Sequence, residues 1–162
     1  MRNRFHFLPT YLKGNIVPSQ LKYSIMIISE VSYLGNLRTA AKHLRSKDTI
    51  ITDAPIDNNG KGQAFSPTDL VASSLASCVI TVIGIYCEKH DIPFQFCEAK
   101  VEKIMGNNPR KIDAINVVFD ISKNEWDSKT LQKVITVANS CPVGITIDTV
   151  SYTHLRAHET DR

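Results

Sequence analysis

With 162 residues, 43% of them hydrophobic, the chain is long enough to build one domain around a single sizeable core. Its formal charge of +3 arises at the ends: residues 1–25 supply Arg2, Arg4, Lys13 and Lys22 and no acid, whereas residues 26–149 hold 13 basic against 14 acidic side chains. A body this close to neutrality offers no basic stripe to a phosphate backbone and argues against nucleic-acid binding, and four cysteines at 78, 87, 97 and 141, without any C-x-x-C spacing, suit neither a disulfide scaffold nor a zinc centre.

The acid-free stretch 1–25 contains Pro9 and Pro18 and no sustained periodicity, so it reads as a non-domain extension, with the folded unit expected from Met26. A transit peptide is the rival reading of a basic leader, against which stand its few serines and the lack of a clear amphipathic helix. Residues 27–33 and 37–44 then read as short strands, and Thr49-Ile50-Ile51-Thr52 is β-branched throughout, which suits a pleated surface. The loop 53–62 gathers Pro55, Asn58, Asn59, Gly60 and Gly62, residues that fix turns or permit positive φ, and its acids Asp53 and Asp57 read as turn formers.

A long helix follows. Ser66 is a good N-cap, Pro67 suits the first helical position, and Asp69 stands at the third, where its carboxylate can reach back to the cap and face the positive end of the helix dipole. The run 70–87 has 18 residues and no charge, long enough to weigh as a membrane span. Its serines and threonine, the close brackets Asp69 and Glu88, and the flanking strands favour a helix buried against a sheet instead. At about 100° per residue, Cys87 falls on the face opposite Cys78 and reads as core packing. Cys97 lies in the alternating strand 95–104 on the side of Ala99 and Val101, and also reads as core.

Gly106-Asn107-Asn108-Pro109 turns the chain into a returning strand, 111–122, with Ile115, Val117, Phe119 and Ile121 on one face, which predicts an antiparallel hairpin. Ser128 is the expected cap of a last helix whose stripe, Leu131, Val134, Ile135 and Ala138, leads to Cys141 directly before Pro142. Cys78 alone reads as an inert core thiol; with Cys141 at a helix end it becomes half of a candidate redox pair. The tail 150–162 resembles the read-through translation of a transposon-type sequencing adapter and is expected to be artefactual, leaving 26–149 as the domain.

Thr52-Asp53-Ala54-Pro55, Phe65-Ser66-Pro67-Thr68-Asp69-Leu70, Leu75-Ala76-Ser77-Cys78 and Cys141-Pro142-Val143, in that order, resemble the OsmC/Ohr family of thiol peroxidases over roughly residues 27–147. The resemblance implies an α+β, OsmC-like fold: a long buried central helix packed on antiparallel sheets, in an intertwined homodimer. It also implies reduction of organic hydroperoxides by a peroxidatic Cys78 and a resolving Cys141, with no bound cofactor and with recycling by an external lipoyl-type dithiol protein; the sparse cysteines and the absence of a signal-peptide pattern separately suggest a reducing cytoplasm, and the cysteine spacing no metal. Arg38 is the choice for the activating cation, with His43 and Arg45 as rivals. The family places a glutamate ten residues before the reactive cysteine; that position is Thr68 here, so Asp69 substitutes for it or the site is organised differently. The competing readings are a redox-sensing or binding member of the same fold without turnover, and a structural protein whose cysteines merely pack.

Overall fold

The structure is a computed structural model that describes residues 26–147; the extension 1–25 and the tail 150–162 lie outside the described residues. Three short strands open the fold, β1 (Ser29–Gly35), β2 (Arg38–His43) and β3 (Thr49–Asp53), paired antiparallel in the order β1-β2-β3. The first two are joined through Gly35, Asn36 and Leu37, all at positive φ, and the Leu37 N–H donates to the Tyr33 hydroxyl at 3.3 Å. Tyr33 pairs with Thr39, Thr39 with Thr52, and Arg38 with Asp53, so these last two lie directly opposite each other. The Thr39 and Thr52 hydroxyls meet at 2.6 Å across the ladder.

The loop after β3 is closed by its own backbone. Asn58 and Gly60 both donate to the Pro55 carbonyl, and a Cβ at Gly60 would collide with the Ala54 carbonyl, so only glycine fits. The chain then enters α1 (Pro67–Lys89) through the predicted capping box: the Asp69 N–H donates to Ser66 Oγ at 3.1 Å, and the Ser66 N–H to Asp69 Oδ2 at 2.8 Å. The two reciprocal bonds satisfy two of the orphan donors of the first turn.

A hairpin of β4 (Glu98–Asn107) and β5 (Arg110–Asp120) follows, with one register shift beside Ile104. The predicted face of β5 is the buried one: Ile115, Val117, Phe119 and Ile121 turn inward. The first three meet the stripe Ala72, Leu75, Ala76, Val79, Ile83 and Cys87 of α1, whose spacing keeps one face of a 3.6-residue helix. Asn124, almost fully buried, ties the hairpin's ends together, accepting from the Gln95 and Phe96 N–H groups and donating to the Phe96 and Ile121 carbonyls. Two further helices, α2 (Ser128–Ala138) and α3 (Pro142–Ile147), close the core with Val134 and Ala138. Asp127 caps α2, its carboxylate accepting from the Thr130 N–H at 2.7 Å, and the expected cap Ser128 is the first helical residue. Aspartate wins because it precedes the first helical turn by the right step and accepts as a charge.

Among the described residues one helix, α1, meets the length and apolarity of a membrane span, with a mean hydropathy of 2.1 over its window. One face of it is the core seam just described. Its other face carries Val71, Ser74, Ser77, Thr81 and Ile85, all exposed, and the three hydroxyls donate to the carbonyls of Val71, Ser73 and Ser77 in their own helix. The sheet β1–β3 contributes nothing to the core cluster and makes no substantial packing with α1. Its Val31, Tyr33 and Ile50 lie open, as does Phe65 in the following loop.

Candidate active site

Cys78 lies on the flank of the α1 stripe, beside Leu75 and Val82 rather than at its centre, and is half-buried. Cys141 comes to it from the joint between α2 and α3. The helix α2 ends at Ala138, and Pro142, whose fixed φ disfavours helix in the residue before it, begins α3. Cys141 therefore takes the capping position of α3, 2% exposed, where its sulfur accepts from the Gly144 N–H at 3.3 Å. The sequence reading of a thiol at a helix stop is thus completed by a short helix start. Both cysteines are unbridged, and they are neighbours in the core: Cys78 packs against the buried cluster that holds Cys141 and is close enough to bear on its ionisation.

Burial, and then the neighbouring Cys78 thiol, push the Cys141 thiol above its ordinary range, against the opposing pull of the Gly144 and Val143 N–H groups. Cys141 is thereby held as a protonated donor. The other two thiols are inert by the same physics. Burial raises Cys87, and burial together with the nearby Asp120 raises Cys97. Both pack with the core, as the strand and helix patterns predict.

The other predicted site residues fall in different places. Thr68 and Asp69 stand at the start of α1, where they share a cation that sequence reasoning missed: Lys103 Nζ donates to Asp69 Oδ1 at 2.5 Å, to Thr68 Oγ1 at 2.9 Å and to Ser66 Oγ at 3.4 Å. A signal was present. Lys103 stands on the same side of β4 as Cys97, Ala99 and Val101, a lysine at an inward register position. It borders an open groove of about 620 Å³ with Phe65, Ala72, Ser73 and Val101. Burial opposes ionisation of Asp69, but the Lys103 and Ser66 bonds outweigh it and hold the carboxyl below its ordinary range. A depressed carboxylate contributes stability that is present above the unfolded value, near pH 4, and lost as pH falls through the folded value. Urea midpoints are accordingly expected to drop below about pH 4, and Asp69→Asn to flatten that part of the profile; an unchanged slope would remove the pair from the acid response.

His43 lies at the exposed end of β2, bound through Nδ1 to the Ser46 hydroxyl at 2.8 Å in a surface turn, away from the thiols. Arg45, in the same turn, is exposed as well. Arg38 begins β2, on the sheet that makes no substantial packing with α1, the helix that carries Cys78. Its Nε is buried without a hydrogen-bond partner, and so is Oδ1 of the fully buried Asp53, whose Oδ2 accepts from the Gln63 N–H at 2.9 Å. Each such orphan costs about 1–3 kcal/mol. No cluster among the described residues is suited to hold a metal.

A central helix flanked by an antiparallel hairpin and an outlying three-stranded sheet, with a helix-borne thiol facing a second thiol from the C-terminal segment, defines an α+β fold built around a cysteine pair. The chain belongs to the OsmC-like protein family, whose model matches residues 60–153. It is 42% identical to a Psychrobacter arcticus protein provisionally described as an osmotic stress induced and detoxification response protein, matching 85% of this chain and all of that one with a TM-score of 0.78. The fold is shared with an organic hydroperoxide resistance protein OsmC of Legionella pneumophila, at 16% identity over 84% of this chain and 98% of that one, TM-score 0.65. It is shared also with the organic hydroperoxide resistance protein OhrB of Bacillus subtilis, at 16% identity over 81% and 98%, TM-score 0.58. No match is found among curated proteins.

Proposed function

We propose that the chain is a thiol peroxidase that reduces organic hydroperoxides through Cys78 and Cys141. The reading rests on one observation, that α1 and the α2–α3 joint bring these two thiols into the same part of the core. The Cys78 thiolate attacks one peroxide oxygen, the O–O bond breaks, and the alkoxide leaves with a proton as the alcohol, so that Cys78 becomes a sulfenic acid. Cys141 then attacks that sulfur and water leaves, giving the Cys78–Cys141 disulfide. An external dithiol of the lipoyl type restores both thiols by exchange and is itself oxidised to a disulfide, in keeping with a reducing cytoplasm. The half-apolar surroundings of Cys78, including Leu75, Val79 and Val82, favour alkyl peroxides over hydrogen peroxide.

A homodimer belongs to the same proposal. The outer face of α1 is uncharged and its hydroxyls are satisfied internally, and β1–β3 exposes Val31, Tyr33 and Ile50 without packing on its own helix. Covering such side chains stabilises by about 1.5–3 kcal/mol each when burial is complete. In such a dimer the Arg38 of one copy is available to the Cys78 of the other. Sedimentation is expected to give a dimer at micromolar concentration, and a stable monomer there would exclude this arrangement.

Treatment with one equivalent of cumene hydroperoxide is expected to join Cys78 to Cys141 in the peptide map, followed by catalytic consumption of peroxide once a lipoyl dithiol is added. A redox-sensing role without turnover is favoured by Thr68, which takes a lysine where the family glutamate would hold an arginine. Disulfide formation without catalytic consumption would select it.

A further inference from the structure

We infer that Asp53 is the positioning residue for Arg38, doing the work of the glutamate that this chain lacks at Thr68. The inference rests on the peroxidase reading for the role of Arg38 and on the structure for the pairing. Arg38 and Asp53 are direct partners across the β2–β3 ladder, so their side chains leave the sheet on the same face. Asp53 is fully buried and spends only one oxygen on the loop, the bond from the Gln63 N–H. Its Oδ1 has no partner, and the buried Nε of Arg38 has none either. One is an acceptor and the other a donor, of opposite charge, and each is what the other lacks.

Asp69, the other acid considered for that role, is committed elsewhere, since it holds Lys103 and closes the capping box of α1. A guanidinium anchored by its Nε edge leaves its two terminal amino groups free to face a thiolate or a departing alkoxide, which a carboxylate gripping the terminal nitrogens would prevent. In the single chain the two atoms have not joined. Covering the sheet with a second copy lowers the local dielectric further, which strengthens a bond between them.

The test compares Asp53→Asn, Arg38→Ala and the double variant as full-length chains, reading the single-turnover rate of Cys78 oxidation by cumene hydroperoxide and its pH profile. Asparagine keeps an acceptor for the Gln63 N–H and removes the charge. Asp53→Asn is expected to slow oxidation roughly 10- to 100-fold, the scale of a misplaced catalytic group. The double variant is expected to be no slower than Arg38→Ala, and both single variants to move the acid limb of the profile upward to the same midpoint. Additive losses with an unmoved midpoint would make Asp53 a loop fastener only and overturn the inference, as would an Arg38→Ala variant that behaves as wild type. Should Asp53→Asn not fold, Arg38→Lys decides: lysine keeps the charge but has no Nε, so a fall to the Arg38→Ala rate supports the pairing and a wild-type rate refutes it. If peroxide does not oxidise the wild-type chain, the peroxidase reading fails separately, and the same profile taken by iodoacetamide alkylation of Cys78 still decides for or against Asp53.

Discussion

Cys78→Ser is expected to abolish peroxide turnover, by about 10⁴-fold or more, the scale on which loss of a nucleophile acts. The exchange is nearly isosteric and Cys78 is only half-buried, so the fold should persist with an unchanged far-UV spectrum. A hydroxyl does not ionise near neutrality and cannot attack the peroxide oxygen. The controls are the other two cysteines. Cys87 lies in the core seam of α1 and Cys97 beside Asp120, both held protonated, so Cys87→Ala and Cys97→Ser are expected to retain turnover. Full activity in Cys78→Ser, or its loss in Cys97→Ser alone, would move the nucleophile off the central helix.

Cys141→Ala is expected to permit one round of peroxide reduction and then to accumulate Cys78 bearing two or three oxygens, visible by intact mass. Without a neighbouring thiol the sulfenic acid persists in the presence of excess peroxide and advances to sulfinic and sulfonic acids, which a dithiol does not reverse. The structural cost is small. Alanine removes the acceptor for the Gly144 N–H at the start of α3, a loss of about 1 kcal/mol. The variant should therefore remain folded while failing to cycle. Normal cycling would show that the external dithiol resolves the sulfenic acid directly and that Cys141 has only a packing role.

The parts of the fold that were legible in the sequence are those written locally. Ser66, Pro67 and Asp69 specify the start of α1 within four residues, and the alternation of Ile115, Val117, Phe119 and Ile121 specifies the inward face of β5. The early strands were found but displaced by up to two residues, because their alternation continues into flanking residues and only the ladder fixes where pairing stops. The short helix α3 was missed: a proline after a helical run reads as a stop, and nothing local says that the same proline opens the next helix. Lys103 was missed because its ion pair joins residues 34 positions apart, although its place on the inward side of β4 was a usable sign. Arg38 shows the limit most clearly. Alternation tells which side chains share a face of β2, but not that the whole sheet stands clear of its own helix.

That clearance bears on how the molecule resists unfolding. Nearly every buried apolar side chain among the described residues belongs to one seam, between α1, the hairpin and the C-terminal helices, and the amino-terminal sheet adds none. If the missing cover is a second copy, folding and association share one free energy, and the fraction of native protein depends on how much of it is present. For such a chain dilution acts as a denaturant, and an apparent melting temperature has meaning only beside the concentration at which it was taken.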